Sequence, residues 1–272
     1  MQAPSLWNPP SGTLGRILSE TLNRVAALKP RRTALESAAR RAPMAPSLAA
    51  ALRGKDVAVI AEVKRRSPSK GDINPTLEAA EQAREYEAGG ARGVSVLTEG
   101  AHFGGSPEDF EEVRAAVSVP LLKKDFHVDP LQLLEARVLR ASALLLIARA
   151  LNPALLIELA SFAKDLGLEV LVEVRDEREL EAALQTSAPL IGVNSRNLET
   201  LVMDPAVCER LIPLVPADRI AIYESGVKNR RDVDAAATLG ADAVLVGSVV
   251  SAAPSPASAV RGLTGAARVA RD

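Results

Sequence analysis

Short apolar runs alternate along the chain with longer segments whose apolar positions recur at helical spacing. The runs are VAVIAEV (57–63), GVSVLT (93–98), VPLLKK (119–124), ALLLIA (143–148), EVLVEV (169–174), LIGVN (190–194), RIAIYE (219–224) and AVLVG (243–247). Most are nearly continuous in apolar residues, as strands covered on both faces must be. They recur roughly every 26 residues, the spacing of a strand–helix unit. The segments between them carry helix punctuation. In SPEDFEEVRAAV, Ser106 is placed to cap, Pro107 takes the first helical position, and Asp109 completes a pattern like a capping box. NRRDVDAAATLGAD closes at Gly240 and NPALLIELASFAKDLGL at Gly167. Eight such units predict an α/β fold, a (β/α)8 TIM barrel, with an open doubly wound sheet as the competing architecture. No Gly-x-Gly-x-x-Gly follows the first run, which weighs against a dinucleotide-binding sheet. SGTLGRILSETLNRVAAL and RRTALESAARRA precede the first run and predict an N-terminal helical extension. Residues 1–45 are assigned to that extension, packed on the barrel and over its mouth, and residues 46–272 to the barrel catalytic domain.

Composition changes this picture only by exclusion. Hydrophobic residues make up 47% of 272, enough for a large core, and the formal net charge of −1 gives no global field for nucleic acid. Aromatics at 3% leave few stacking platforms for single strands. From Glu20 to Arg66 the chain is locally basic, which either steers an anionic ligand or marks a solvated helix face. One cysteine, Cys208, and two histidines, His102 and His127, predict neither a disulfide nor a thiol- or histidine-rich metal site. The N-terminal stretch lacks a basic region followed by a long apolar run, and ALLLIARALNPALLIELA is broken by Arg149 and Pro153. The expectation is a soluble, cytoplasmic protein with no nucleic-acid or membrane partner, a monomer with an oligomer as the alternative.

The informative polar residues sit at the C-terminal ends of the strands, the face on which barrels of this kind carry their active sites. Glu62 and Lys64 end the first strand; Lys123, Lys124 and Asp125 end the third; Glu173, Asn194 and Glu224 end the fifth, sixth and seventh. Polar residues mark any strand's exit from a core, but a simple exit needs no Glu or Lys within the last apolar positions. Strand alternation puts Glu62 with Lys64, Leu171 with Glu173, and Ile222 with Glu224, leaving Tyr223 toward the helices. It also separates Lys123 from Lys124 without saying which faces inward. The turns ESGV and VGSV place Gly–Ser pairs after the last two strands, where barrels often hold phosphate.

Assembled, AEVKRRSPSKG, SVLTEGAHFGGS, LLKKDF, LLLIA, LVEV, IGVNSRNLET, ESGV and VLVGS resemble the indole-3-glycerol phosphate synthase family over residues 55–250. The resemblance implies a cofactor-free carboxy-lyase that closes, decarboxylates and dehydrates 1-(2-carboxyphenylamino)-1-deoxyribulose 5-phosphate, a small sugar-phosphate substrate. It implies Lys124 as the acid on the ketone oxygen, Lys64 on the substrate carboxylate, Glu173 as base in the dehydration, Glu62 in support and Asn194 as a positioning donor. It further implies substrate contacts at Ser67, Pro68, Arg196 and Glu224, an apolar wall of Phe126, Leu145 and Ile147, and phosphate binding by Ser225, Gly226, Gly247 and Ser248. A lysine working as an acid near neutrality benefits from a lowered pKa, expected here from Lys64 and partial burial. His102 and Tyr223 depart from the family's usual aromatic and small residue, with His102 expected in a loop. Arg149 receives no role, and Trp7 is either a cap on the aromatic pocket or a surface anchor. Two other enzymes compete with this expectation, a Schiff-base aldolase and the sister sugar isomerase, for which no cysteine ends the first strand; a catalytically dead scaffold barrel is the third alternative, and it has no need for Glu62, Lys64, Lys124, Glu173 and Asn194.

Overall fold

The computed structural model describes residues 8–271, so Trp7 lies outside the described residues. Eight parallel strands close into a barrel: β1 (Ala58–Val63), β2 (Gly93–Leu97), β3 (Leu121–Lys124), β4 (Ala143–Ile147), β5 (Glu169–Val174), β6 (Leu190–Asn194), β7 (Ile220–Glu224) and β8 (Ala243–Val246). Each pairs with its sequence neighbours, and β1 pairs with β8 to complete the ring. The open doubly wound sheet is thereby excluded. All eight apolar runs become strands because each is covered by side chains inside the barrel and by helices outside it.

Most helix punctuation works as the sequence indicates, with one difference. Ser106 caps the helix Pro107–Ala116 by accepting the Asp109 N–H at 3.0 Å. The Asp109 carboxylate does not return to the cap; it takes a two-pronged ion pair from Arg65 at 2.6 and 2.8 Å. A charged fork near a carboxylate outcompetes a single backbone N–H. Asp129 and Gln132 form a full capping box on the helix Pro130–Val138. Gly167 and Gly240 follow their helices with φ of +71° and +90°, conformations that a side chain would strain.

The N-terminal segment folds as two helices, α1 (Gly12–Leu28) and α2 (Arg32–Arg41). α1 lies over the barrel mouth and sends Leu14 and Ile17 into the main core. It is pinned at both ends: Thr13 N–H donates to Glu199 O at 3.0 Å, and Arg24 forks onto Asp125 at 2.9 and 3.2 Å. α2 buries Leu35 and Ala39 against Leu131 and Leu134 of the helix Pro130–Val138. Among the described residues no helix is long and apolar enough to cross a membrane.

Candidate active site

Alternation along β1 brings Lys64 Nζ to 2.6 Å from Glu62 Oε1. Across the mouth, Lys124 Nζ lies 2.9 Å from Glu224 Oε2 and 3.3 Å from Glu173 Oε2. The same alternation turns Lys123 outward, where its ammonium reaches Asp125, His127 and Glu135 at 3.3–3.4 Å. Lys124 is therefore the lysine inside the barrel, a choice the strand pattern left open.

Three carboxylates, Glu62, Glu173 and Glu224, thus share a buried site with two ammoniums, Lys64 and Lys124. Buried charge must be balanced, and one carboxylate too many is relieved by a proton. Glu224 takes it: burial pushes its carboxyl up to about 8, and Glu173 beside it adds to the rise against the pull of Lys124. Burial alone would also raise Glu62, but Lys64 and Lys124 more than offset it, and Glu62 stays ionised. The expected lowering of the Lys124 pKa is overturned. Burial does disfavour its charge, but Glu224, which is ionised at the high pH where this lysine titrates, together with Glu173 and Glu62 outweighs that effect and raises it. Lys64 is held by Glu62 and does not repel Lys124 strongly enough to reverse this.

These groups lie at the floor of a cleft of about 780 Å³. Glu62, Lys64, Ser67, Pro68, Lys124, Phe126, Leu145, Ile147, Glu173, Asn194, Arg196, Glu224, Ser225, Gly226, Gly247 and Ser248 all line it, so every site residue named from the sequence is brought to one cavity. Ser67 ends the first strand of a small hairpin, paired with Gly71, and Pro68 begins its turn. Asn194 is buried, and its side-chain oxygen accepts the Arg196 N–H at 2.9 Å. Ser225 and Gly226 both have positive φ, 67° and 90°. The left-handed conformation is uncommon for a residue with a side chain, so Ser225 is held there by its surroundings. Gly247 is required for a different reason: a Cβ there would stand 2.5 Å from Glu62 Oε1 and 2.6 Å from Lys64 Nζ.

Several lining residues went unread in the sequence. Phe103 faces Phe126 with ring centroids 6.1 Å apart, and Thr13, Leu14 and Ile17 of α1 roof the cleft. The helical spacing of Leu14 and Ile17 marked an apolar face, but nothing local said it would cover a ligand site. His102 is not in an open loop. It belongs to one helical turn, Gly100–Phe103, and its Nε2 lies 2.7 Å from Glu20 Oε2, tying that turn to α1. Arg149 acquires partners as well: it donates to Glu199 at 3.1 and 3.2 Å and to Asn8 O at 2.7 Å. Tyr223 points to the helix side, beside Cys208, as alternation indicated.

Among the described residues, Glu20, Glu99 and His102 bring three possible metal ligands within 4.8 Å. The Glu99 carboxylate is already engaged by the N–H groups of Ala101, His102 and Phe103 at 2.8–3.1 Å. His102 is engaged by Glu20, so the cluster reads as a helix cap and a clasp.

The family model described as indole-3-glycerol phosphate synthase matches residues 14–263. The chain is 46% identical over 257 residues to indole-3-glycerol phosphate synthase 2 of Streptomyces coelicolor, covering 94% of this chain and 100% of that protein. It is 48% identical to indole-3-glycerol phosphate synthase of Mycolicibacterium gilvum, over 84% of each chain. It is 50% identical to that of a Nocardioides species, over 78% of this chain and 82% of the other. The structure of thiamine phosphate pyrophosphorylase from Pyrococcus furiosus superposes with a TM-score of 0.58 at 17% identity, covering 78% of this chain and 95% of that one, a likeness of fold alone. Matched by that family model over most of its length and by relatives at 46–50% identity, the chain belongs to the indole-3-glycerol phosphate synthase family.

Proposed function

We propose that this enzyme closes the pyrrole ring of 1-(2-carboxyphenylamino)-1-deoxyribulose 5-phosphate and releases indole-3-glycerol phosphate, carbon dioxide and water. The observation that carries the residue assignment is Lys124, the inward lysine, held between Glu173 and Glu224 and facing the Lys64–Glu62 pair. The substrate's phosphate sits on the backbone of Ser225, Gly226, Gly247 and Ser248. Its aromatic ring lies against Phe126, Leu145 and Ile147, and its carboxylate meets Lys64, with Arg196, Ser67 and Pro68 completing the contacts.

Attack by the ring carbon on the ketone carbon makes an alkoxide. Lys124 protonates it. A raised pKa suits this role, because the lysine stays charged until an oxygen far more basic than itself develops beside it. The carbon–carboxylate bond then breaks, carbon dioxide leaves, and the electron pair restores the ring. In the dehydration Glu173 removes the proton from the methylene carbon, and Lys64 protonates the departing hydroxyl as water. Glu62 holds Lys64 in place at 2.6 Å, Asn194 orients the reacting hydroxyl, and Glu224, protonated at neutral pH, keeps Lys124 aimed without adding a third negative charge. This reading calls for no cofactor, metal, nucleic acid or membrane, and places the enzyme in the cytoplasm as a monomer.

The direct test is turnover of that substrate followed by indole fluorescence. Lys124→Ala is expected to lower kcat by about 10²–10⁴-fold with the fold retained by circular dichroism. Near-normal turnover in that variant would remove Lys124 from the acid role. Borohydride trapping of a substrate-dependent lysine adduct would instead favour Schiff-base chemistry.

A further inference from the structure

The parallel ladder between β1 and β8 stops one rung short of the active site. Ala58 N–H donates to Asp242 O at 2.9 Å, so alternation points the backbone groups of Ala58, Ile60 and Glu62 toward β8. β8 ends at Val246, and the chain turns at Gly247 into the helical turn Ser248–Ser251. The Glu62 carbonyl is thereby left without a strand partner, and a buried carbonyl needs one. Two hydroxyls take the place of the missing rung. Ser251 Oγ donates to Glu62 O at 2.9 Å and Tyr86 Oη donates to it at 3.1 Å, one for each lone pair.

These hydroxyls belong to a buried polar set. Gln82 and Tyr86 are four residues apart on the helix Ala79–Ala88 and share one face of it. Gln82 Nε2 donates to Tyr86 Oη at 3.0 Å, and its second hydrogen goes to Val250 O at 3.2 Å. Asn74 Nδ2 donates to Ser251 O at 3.0 Å. The last carbonyls of the helical turn, which so short a helix cannot satisfy itself, are thus held by side chains. The turn has two ends with different tasks. Gly247 and Ser248 receive the phosphate in the proposed reaction. Ser251 is fastened to the carbonyl of Glu62, whose carboxylate holds Lys64 at 2.6 Å.

We propose that Tyr86 and Ser251 are positioning residues that transmit the seating of the phosphate to the Glu62–Lys64 pair. The proposal rests on the phosphate and Lys64 roles given above. Neither hydroxyl residue lines the cleft, so both act through Glu62. Phosphate on Gly247 and Ser248 fixes the turn. The fixed turn holds the Glu62 carbonyl through the two hydroxyls, and the end of β1 then presents Lys64 to the departing hydroxyl. Binding energy from a remote group raises kcat only where the structure carries it to the reacting centre, and this set is the connection. Without the phosphate the turn is held from one end only, and the hydroxyls have nothing to transmit.

Tyr86→Phe and Ser251→Ala each remove one hydroxyl with little change of shape. Both are assayed on the sugar phosphate and on its dephosphorylated form, 1-(2-carboxyphenylamino)-1-deoxyribulose. On the sugar phosphate the expected result is a fall in kcat of about tenfold with KM within about twofold. On the dephosphorylated form kcat/KM is expected to stay within about twofold of the unsubstituted enzyme, so the advantage conferred by the phosphate shrinks. An unchanged kcat on the sugar phosphate overturns the proposal. An equal loss on both substrates also overturns it, because that is the signature of hydroxyls that merely support the strand end. A rise in KM alone does the same, since the turn would then only bind. If Tyr86→Phe does not fold, the two-substrate comparison in Ser251→Ala decides. Inactivity of the unsubstituted enzyme on the sugar phosphate would instead fail the proposed reaction, a distinct result.

Discussion

At the scale of single residues, the site is governed by an excess of carboxylates over ammoniums. Glu62 stays ionised because Lys64 is 2.6 Å away, while Glu224 holds a proton because burial and Glu173 outweigh Lys124. Gly247 is part of that balance, although it carries no charge. A methyl group there would fall on the ends of the Glu62 and Lys64 side chains, which must shift to admit it. Gly247→Ala is expected to displace Lys64 by a fraction of an ångström and cut kcat about 10²-fold, the usual cost of misplacing a reacting group. Steady-state kinetics beside a thermal melt will separate this from unfolding. The sequence named Gly247 only as a phosphate-turn residue; the steric reason needs the strand across the barrel seam.

At the scale of elements, α1 is held to the barrel by polar contacts made with the loops it covers. Arg24 to Asp125, Glu20 to His102, and Ser11 to Glu199 at 2.6 Å fasten it along its length. Asp125 is held well below the usual carboxylate range: burial alone would raise it, but Lys123 and then Arg24 prevail. Thr98 adds a hydrogen bond at 2.7 Å. Arg24→Ala should therefore cost about 1–2 kcal/mol in urea unfolding, since Asp125 retains Thr98, Lys123 and the Phe126 N–H as partners. Because α1 roofs the cleft, the same variant is expected to raise KM more than it lowers kcat. A kcat loss at unchanged KM would mean that the roof does not hold substrate. The helical pattern of α1 was legible in the sequence, but its anchorage was not, because its partners lie 82 to 188 residues away.

For the molecule as a whole, buried titrating groups set the pH limits of stability. Burial and Lys123 push His127 down to about 3, below its unfolded value near 6.5. The unfolded chain therefore binds the proton first, and stability is lost as pH falls from about 6.5 toward 3. Glu224 acts in the opposite sense. Its folded value, about 8, lies above the unfolded one, so its contribution is complete below the unfolded pKa and is lost as pH rises through 8. Melting temperatures should decline on both sides. Glu224→Gln is expected to flatten the alkaline limb and leave the acid limb in place. An alkaline decline that persists unaltered in that variant would assign the limb to other groups.

The sequence by itself determined the barrel, because eight apolar runs covered on both sides admit few other arrangements and their spacing leaves room for one helix each. It also marked the strand ends that carry charge, since Glu and Lys within the last apolar positions have no use in a plain strand exit. It could not choose between Lys123 and Lys124, because alternation fixes that two neighbours face opposite ways but not which way is in. Tertiary structure decided that choice, and with it the sign of the Lys124 shift, which depends on carboxylates from β1, β5 and β7 converging on one ammonium. Distance through space sets those energies, and residues from Glu62 to Glu224 become neighbours only when the barrel closes.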